Sequence, residues 1–445
     1  MENGIPDAVF SMLGDLPLVP AGAFAGWDGC HLRVYANVYP AVFDEACKKL
    51  LDTGFTVLQS TSLCGNRFAA LKKDGVRVNL LYTPCERELR VTASDCEETP
   101  RLTPDACEGE TQTCFYAFEN DQTLIDCGMC LLLQCPDDSF FVVDSGHYFQ
   151  MNDNDRLYAF MRERTPPEKK VTVCGWLITH AHTDHVSKLM DFLRYNTRDV
   201  AIEGFYQNIL PPDYHVWDGN HEEAETAEKL CRMLKAYPAP VYTLHTGMRF
   251  YVRNLVFDVL STHEDLYPAF IEDYNDSSVV VMMEAEGSRV FIPGDAAVEA
   301  GKKLEARFGE ALKCDVVQVA HHGHTGLSVR CYEFLNADTA VFPVTRIMFE
   351  QELPKKEANR RVIELASQYY ITGDGTVAVP LPYRKDTVVK LPDETLEDFA
   401  KIERLWKYTY TDEYRSYIYK TFLENGGDPA RLQLPTSPEG WIEPK

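Results

Sequence analysis

Positive charge is scarce in this sequence: Lys and Arg number 44 against 68 Asp and Glu, a formal charge of −24. That balance argues against a dedicated nucleic-acid or anionic-membrane binder, which presents a basic face, so tight nucleic-acid binding is not expected. Long apolar runs are missing too. The longest candidates, Leu131–Leu133 and Val279–Met283, are strand-sized, far short of the roughly 18 residues of a membrane span, so no membrane partner is expected. The first residues carry Glu2, Asp7 and Asp15 and no Lys or Arg, so the apolar stretch Leu16–Ala25 lacks the basic flank of a secretory signal. The 14 cysteines form no short, dense framework; they read as mostly reduced and buried, and the cytoplasm is the expected compartment. There is no internal repeat, P-loop, G-x-S-x-G or H-E-x-x-H, which removes the common nucleotide, serine-hydrolase and zincin readings. What is present is 45% hydrophobic and 11% aromatic residues over 445 positions, enough for a globular chain of two or three domains.

Residues 1–30 mix apolar positions with Pro and Gly and give no clear element. Val42, Phe43, Ala46 and Leu50 make an amphipathic helix of Ala41–Leu51, ended near Gly54. Strand-like runs follow at Phe55–Gln59, Arg67–Lys72, Val76–Tyr82 and Glu88–Thr92, with Lys73-Asp74-Gly75 as a hairpin turn. These predict a small α+β unit over 1–107, closed by a polar linker between about Ala93 and Gln112. From Cys114 strands and helices alternate. Strands Met129–Gln134, Phe140–Val143 and Val171–Ile178 precede a helix over Asp184–Tyr195, and a second helix is expected over Glu223–Ala236. Later strands are expected at Leu255–Leu260, Ser278–Glu284, Arg289–Ile292 and Asp315–Val319, then a hairpin over Tyr369–Pro380. The expected boundaries are 108–385 for this α/β unit and 386–445 for a helical, Tyr-rich extension. Cys127 and Cys130 form a C-x-x-C without a second pair and read as buried strand cysteines.

The chemistry concentrates in Thr179-His180-Ala181-His182-Thr183-Asp184-His185, where three imidazoles and a carboxylate fall within six residues, although only 12 histidines occur in the chain. On extended chain, residues two apart point the same way, so His180 and His182 can share one ion. Asp184 and His185 turn into the helix start and can reach a second. Imidazole with carboxylate is a ligand set that suits zinc.

This run resembles the H-x-H-x-D-H signature of the metallo-β-lactamase superfamily, and the resemblance extends over roughly residues 114–380. Asp144-Ser145-Gly146 is similar to the family's D-x-G, whose Asp supports the metal loop from behind. Gly294-Asp295 is similar to its bridging aspartate, and His321-His322-Gly323 to its last metal histidine. Asn275–Val280, Pro293–Ala296 and Val319–Gly323 are similar to the ComEC-like branch, which includes phosphorylcholine esterases; His324 stands where that branch usually has Ser.

The resemblance implies an αββα four-layer sandwich and two divalent ions, zinc first, with manganese or iron next. His180, His182 and His263 would hold one ion, with His221 and His245 as rivals of His263. Asp184, His185 and His321 would hold the other, and Asp295 would bridge the two. His322 or His324 would contact substrate, and Asp184 and Asp295 would shuttle protons. The implied activity is that of a binuclear hydrolase using a hydroxide between the ions, on a phosphomonoester or phosphodiester. Carboxyl-ester, thioester or lactone hydrolysis is the alternative, and a non-catalytic metal-binding scaffold the rival from another class. A small-molecule or phosphoester substrate is the expected partner, and a homo-oligomer is compatible with this reading.

Overall fold

The computed structural model describes residues 6–25, 29–95, 98–119, 127–147, 153–212, 222–351 and 353–391. The rival ligand His221 and nearly all of the expected C-terminal helical extension lie outside the described residues.

Alternating apolar residues build two sheets that bury one face against each other. The first has nine described strands, centred on Cys130–Gln134, Phe140–Asp144 and Val171–Leu177. The second has seven, including Leu255–Ser261, Val280–Ala285, Ser288–Ile292, Val316–Gln318 and Thr339–Phe342. Phe141, Val143, Phe257, Val281 and Ile292 share the core between them. On the outer face of the first sheet, Val142 and Trp176 pack under Leu157 and Phe160 (helix Asp153–Glu163), Leu189 and Phe192 (helix Thr183–Tyr195) and Leu230 (helix Glu222–Ala236). On the outer face of the second, Phe291 and Val317 pack under Ala300 and Leu304 (helix Val298–Phe308), Cys331 (helix Val329–Leu335) and Val362 (helix Glu357–Leu365). Helices, sheet, sheet and helices are therefore the four layers, as the fold class expected from the sequence requires. No described helix is long and apolar enough to cross a membrane.

The N-terminal residues form a third, six-stranded antiparallel sheet in which strands Thr56–Leu63, Asn66–Lys73, Val76–Thr83 and Glu88–Asp95 follow as hairpins. Helices Pro6–Met12 and Pro40–Asp52 cover one face through Val9, Phe10, Phe43 and Ala46. The other face lies on the sandwich, where Phe68, Ala70 and Leu81 join its core. Gly247 shows how close this approach is: its φ is +92°, and a Cβ there would come within 2.7 Å of Phe68 Cβ.

Two expectations need correction. Residues 1–30 do contain elements, the helix Pro6–Met12 and a strand Val19–Ala25. Tyr369–Pro380 is not a hairpin: Gln368–Ile371 pairs in parallel with Thr339–Phe342 in the second sheet, whereas Val377–Pro380 pairs with Cys114–Ala117 in the first. The Gly373–Gly375 turn thus crosses from sheet to sheet. It does so against the backbone of Val344–Arg346, where a Cβ on Gly373 would meet Thr345 Cα at 2.7 Å.

Candidate metal centre

The chemistry-bearing residues lie beyond the C-terminal ends of parallel strands, the place where α/β sheets gather ligands. Phe140–Asp144 runs parallel to Val171–Leu177 in the first sheet, and Ser288–Ile292 parallel to Val316–Gln318 in the second. Asp144 has a left-handed backbone (φ 53°) and is fully buried. Thr179 donates to it twice, from its backbone N–H to Oδ1 (2.8 Å) and from its hydroxyl to Oδ2 (2.7 Å), while His185 donates from Nδ1 to Oδ2 (2.7 Å). One carboxylate therefore ties the strand end to the first turn of the following helix. Ser145 secures the same turn, donating to the His185 carbonyl (2.7 Å) and accepting from the Leu189 N–H (2.8 Å).

From the second sheet, Gly294 (φ 58°) lets the chain pass so close to Thr179 that a Cβ would meet Thr179 Cβ at 2.8 Å, and Asp295 then faces the histidines. Its backbone N–H donates to Ser278 Oγ (3.2 Å). Nearby, Asp276 caps the helix after Asp295, accepting from Ala297 N (3.0 Å) and Ala300 N (2.9 Å). Burial pushes the Asp276 carboxyl up to about 6.

Two groups of potential ligands result, sharing one carboxylate. Asp184, His185, Asp295 and His322 form the first; His180, His182 and Asp295 form the second. His185 Nε2 lies 3.1 Å from Asp295 Oδ2 and 3.2 Å from His322 Nε2. His322 Nε2 lies 3.0 Å from Asp184 Oδ2 and 3.3 Å from Asp295 Oδ2. His180 Nε2 and His182 Nδ1 approach to 2.9 Å. The Nδ1 atoms of His185 and His322 both donate outward, to Asp144 and to the Pro343 carbonyl (2.7 Å), so both Nε2 atoms are turned into the centre.

The donors fit divalent cations. Among the described residues no well-aligned hydrogen bond reaches either oxygen of the buried Asp295, and ring nitrogens and carboxylates turned into one buried centre call for positive charge among them. The titration directions agree: burial disfavours charge on His185 and His322, yet the facing aspartates hold His185 well above the ordinary imidazole range and His322 up to about 10. Burial, followed by His185 and His182, drives His180 the other way, well below that range.

Two histidines depart from the expected positions. His321 was assigned the ligand position at the strand end, but beyond Val319 the chain is no longer extended; both His321 and His322 are left-handed (φ 51° and 55°), so strand alternation does not carry over. His321 turns outward, half-buried, donating from Nδ1 to the Thr325 carbonyl (3.0 Å), while Asn275 Nδ2 donates to its Nε2 (3.4 Å); His322 takes the inner position. His263 does not join His180 and His182. It opens a tight turn capped by Thr262 and Asp265, its Nε2 meets Asn208 Oδ1 (2.9 Å), and its ring lies against Phe24. His245 is buried elsewhere, against Glu264. His324 is half-buried beside His321, with ring centroids 5.5 Å apart.

Four neighbours were not singled out for the site. Cys127, read as a strand cysteine, donates from Sγ to Asp184 Oδ2 (3.4 Å). Glu223 Oε1 lies 3.6 Å from His182 Nε2, and the Tyr274 ring packs on His182 at 5.0 Å. His147 is buried close enough to feel Asp184, and burial lowers it to about 3. Only His147 carried a sequence signal, as the residue after Asp144-Ser145-Gly146.

No protein-family model and no curated protein matches the chain. Among solved structures it is similar to YhfI, a metallo-beta-lactamase fold protein from Bacillus subtilis. That match has 10% identity, covers 59% of this chain and 96% of that one, and has a TM-score of 0.36. It is also similar to a diphosphatase of the PhnP family (15% identity, 52% and 86% covered, TM-score 0.31). A third is CmlA, a diiron beta-hydroxylase from Streptomyces venezuelae (12% identity, 62% and 55% covered, TM-score 0.35). The four-layer assignment rests on the chain's own sheets and cores.

Proposed function

We propose that the chain is a binuclear metal-dependent hydrolase of the metallo-β-lactamase superfamily, similar in its motifs to the ComEC-like and phosphorylcholine-esterase-like branch, and that it acts on a phosphomonoester or phosphodiester. The observation that carries this reading is Asp295, common to both ligand groups, buried, and faced by His185 and His322 with no well-aligned hydrogen bond among the described residues. His180, His182 and Asp295 would hold one ion, and Asp184, His185, His322 and Asp295 the other, with zinc favoured by the donor set. Two such ions, when bound, supply acidified water and neutralise charge on the attacking and leaving oxygens of a phosphoester.

The chain's own residues do the positioning. Asp144 fixes the tautomer and ring plane of His185, and the Pro343 carbonyl does the same for His322. The half-exposed His182, His321 and His324 form the rim that a substrate would meet. Burial, then His322 and His321, lowers His324 to about 4, so at neutral pH it offers a hydrogen bond and no charge. The role of substrate contact therefore passes from His322 to His321 and His324.

The test compares two neighbours. His322→Ala should lose one ion equivalent along with turnover. His321→Ala should keep its metal while hydrolysis of a phosphodiester falls roughly 10²–10³-fold, as for loss of a donor to developing charge. Metal retained in His322→Ala would overturn the ligand assignment. A panel of phosphodiesters, phosphomonoesters, carboxyl esters, thioesters and lactones tests the substrate class: faster turnover of the last three would overturn the phosphoester reading, and no turnover of any by metal-loaded protein would favour a scaffold. Asp144→Asn, which changes only the residue behind His185, should weaken metal affinity or activity roughly 10–100-fold without unfolding, as read by equilibrium dialysis.

A further inference from the structure

Away from this centre, a second kind of ligand cluster lies where the N-terminal sheet meets the sandwich. Cys30 precedes strand His31–Ala36 of the N-terminal sheet, His245 follows strand Val241–Thr243 of the first sandwich sheet, and Glu264 lies in the turn after strand Leu255–Ser261 of the second. All three are buried, and their ligand atoms lie within 4.8 Å of one another. We propose that Cys30, His245 and Glu264 bind a third metal ion, a thiophilic divalent cation of the zinc type, which links the N-terminal sheet to both sheets of the sandwich.

Three features carry the assignment. The first is the donor set: thiol, imidazole and carboxylate together suit zinc. The second is spacing. A tetrahedral ion with bonds of about 2.0–2.3 Å sets its ligand atoms roughly 3.3–3.8 Å apart, and the three atoms, within 4.8 Å of one another, are gathered near that range. The third is the state of Glu264. Both its carboxylate oxygens lie 3.0 Å from the single His245 Nδ1, which has at most one proton to share between them. The nearby arginines are committed elsewhere. Arg90 donates to the Glu264 and Tyr267 backbone carbonyls and to Glu88, and Arg307 pairs with Asp265 and Glu86. Among the described residues no lysine or arginine pairs with the Glu264 carboxylate, and a buried charge in that position calls for a cation.

The two kinds of site can be read separately, because the Asp295 centre offers only nitrogen and oxygen donors apart from the thiol of Cys127 at Asp184. The full-length protein is loaded with cobalt(II) as the probe, and the thiolate-to-cobalt charge-transfer band is recorded in the near ultraviolet. The band should be present in the wild type, persist in Cys127→Ser and in Asp295→Ala, and vanish in Cys30→Ser; zinc content should fall by one equivalent in Cys30→Ser. A wild-type spectrum without the band overturns the proposal, as does a band that survives Cys30→Ser or disappears in Cys127→Ser. Should Cys30→Ser fail to fold, Glu264→Gln, which keeps size and removes charge, decides: loss of one zinc equivalent supports the site, and unchanged zinc content overturns it. Failure of the binuclear reading would show instead as metal and activity unaffected by Asp295→Ala.

Discussion

Asp295→Ala should empty the proposed metal centre and abolish hydrolysis while leaving the sandwich folded. The carboxylate is the one group common to both ligand sets, so its removal withdraws a donor from each ion and leaves facing cations poorly neutralised. Metal ions contribute several kcal/mol to stabilising a transition state. At 1.36 kcal/mol per decade, a loss of about 4 kcal/mol is roughly 10³ in rate. Elemental analysis should show loss of up to two ion equivalents, and turnover of the best phosphoester should fall about 10³-fold or more. Full metal content with unchanged turnover would show that Asp295 is an ordinary buried carboxylate.

The largest effect on stability is expected from Arg307→Leu. Arg307 is fully buried and pairs with Asp265 (2.8 Å) on the sandwich side and Glu86 (2.7 Å) on the N-terminal side. Asp265 also accepts from Thr246 Oγ1 (2.6 Å) and the Thr262 N–H (3.1 Å). Against the opposing effect of burial, Arg307 and then Arg90 hold the Asp265 carboxyl down to about 2. A carboxyl lowered in this way contributes stability that is complete above its unfolded pKa of about 3.9 and is lost as pH falls towards 2. Removing the guanidinium leaves Asp265 with only the more distant Arg90 (3.9 Å) and Glu86 with Lys303, and breaking one side of a buried pair costs about 3–5 kcal/mol. Urea unfolding at neutral pH should register that loss, and the gap between variant and wild type should narrow as pH falls towards 2. A change under about 1 kcal/mol would mean that the interface rearranges freely around the deletion.

What was legible in the sequence was what is local. The helix over Thr183–Tyr195 follows from its stripe of Leu189, Phe192 and Leu193, and the cluster His180–His185 sits at its start because strand and helix are adjacent in the chain. The same holds for Asp144 and Asp295, each at or just beyond the end of an apolar strand. The choice between His321 and His322 was not legible, because it turns on two left-handed residues that no propensity marks. His263 was misjudged because its turn belongs to Thr262 and Asp265, and Asp265 answers to Arg307, 42 residues further along. Strand Val19–Ala25 escaped notice since Pro20 and Gly22 are poor strand formers. It exists by pairing along His31–Ala36 at the sheet edge, with an irregularity in register between those two residues. Gly373–Gly375 looked like a hairpin turn because a turn's residues do not reveal which sheet the chain enters next.

The two ligand groups draw on both sheets: His180, His182, Asp184 and His185 from one, Asp295 and His322 from the other. An ion held there is a clasp across the mouth of the sandwich as well as a reagent. Any opening of one sheet from the other must release it, and the cost of opening therefore grows with free metal as RT ln(1 + [metal]/Kd), about 4.1 kcal/mol at a thousand times Kd. On the proposed reading, metal supply would govern two properties at once, the competence of the centre and the breathing of the fold around it, so that a metal-starved chain would be not merely idle but looser at that edge.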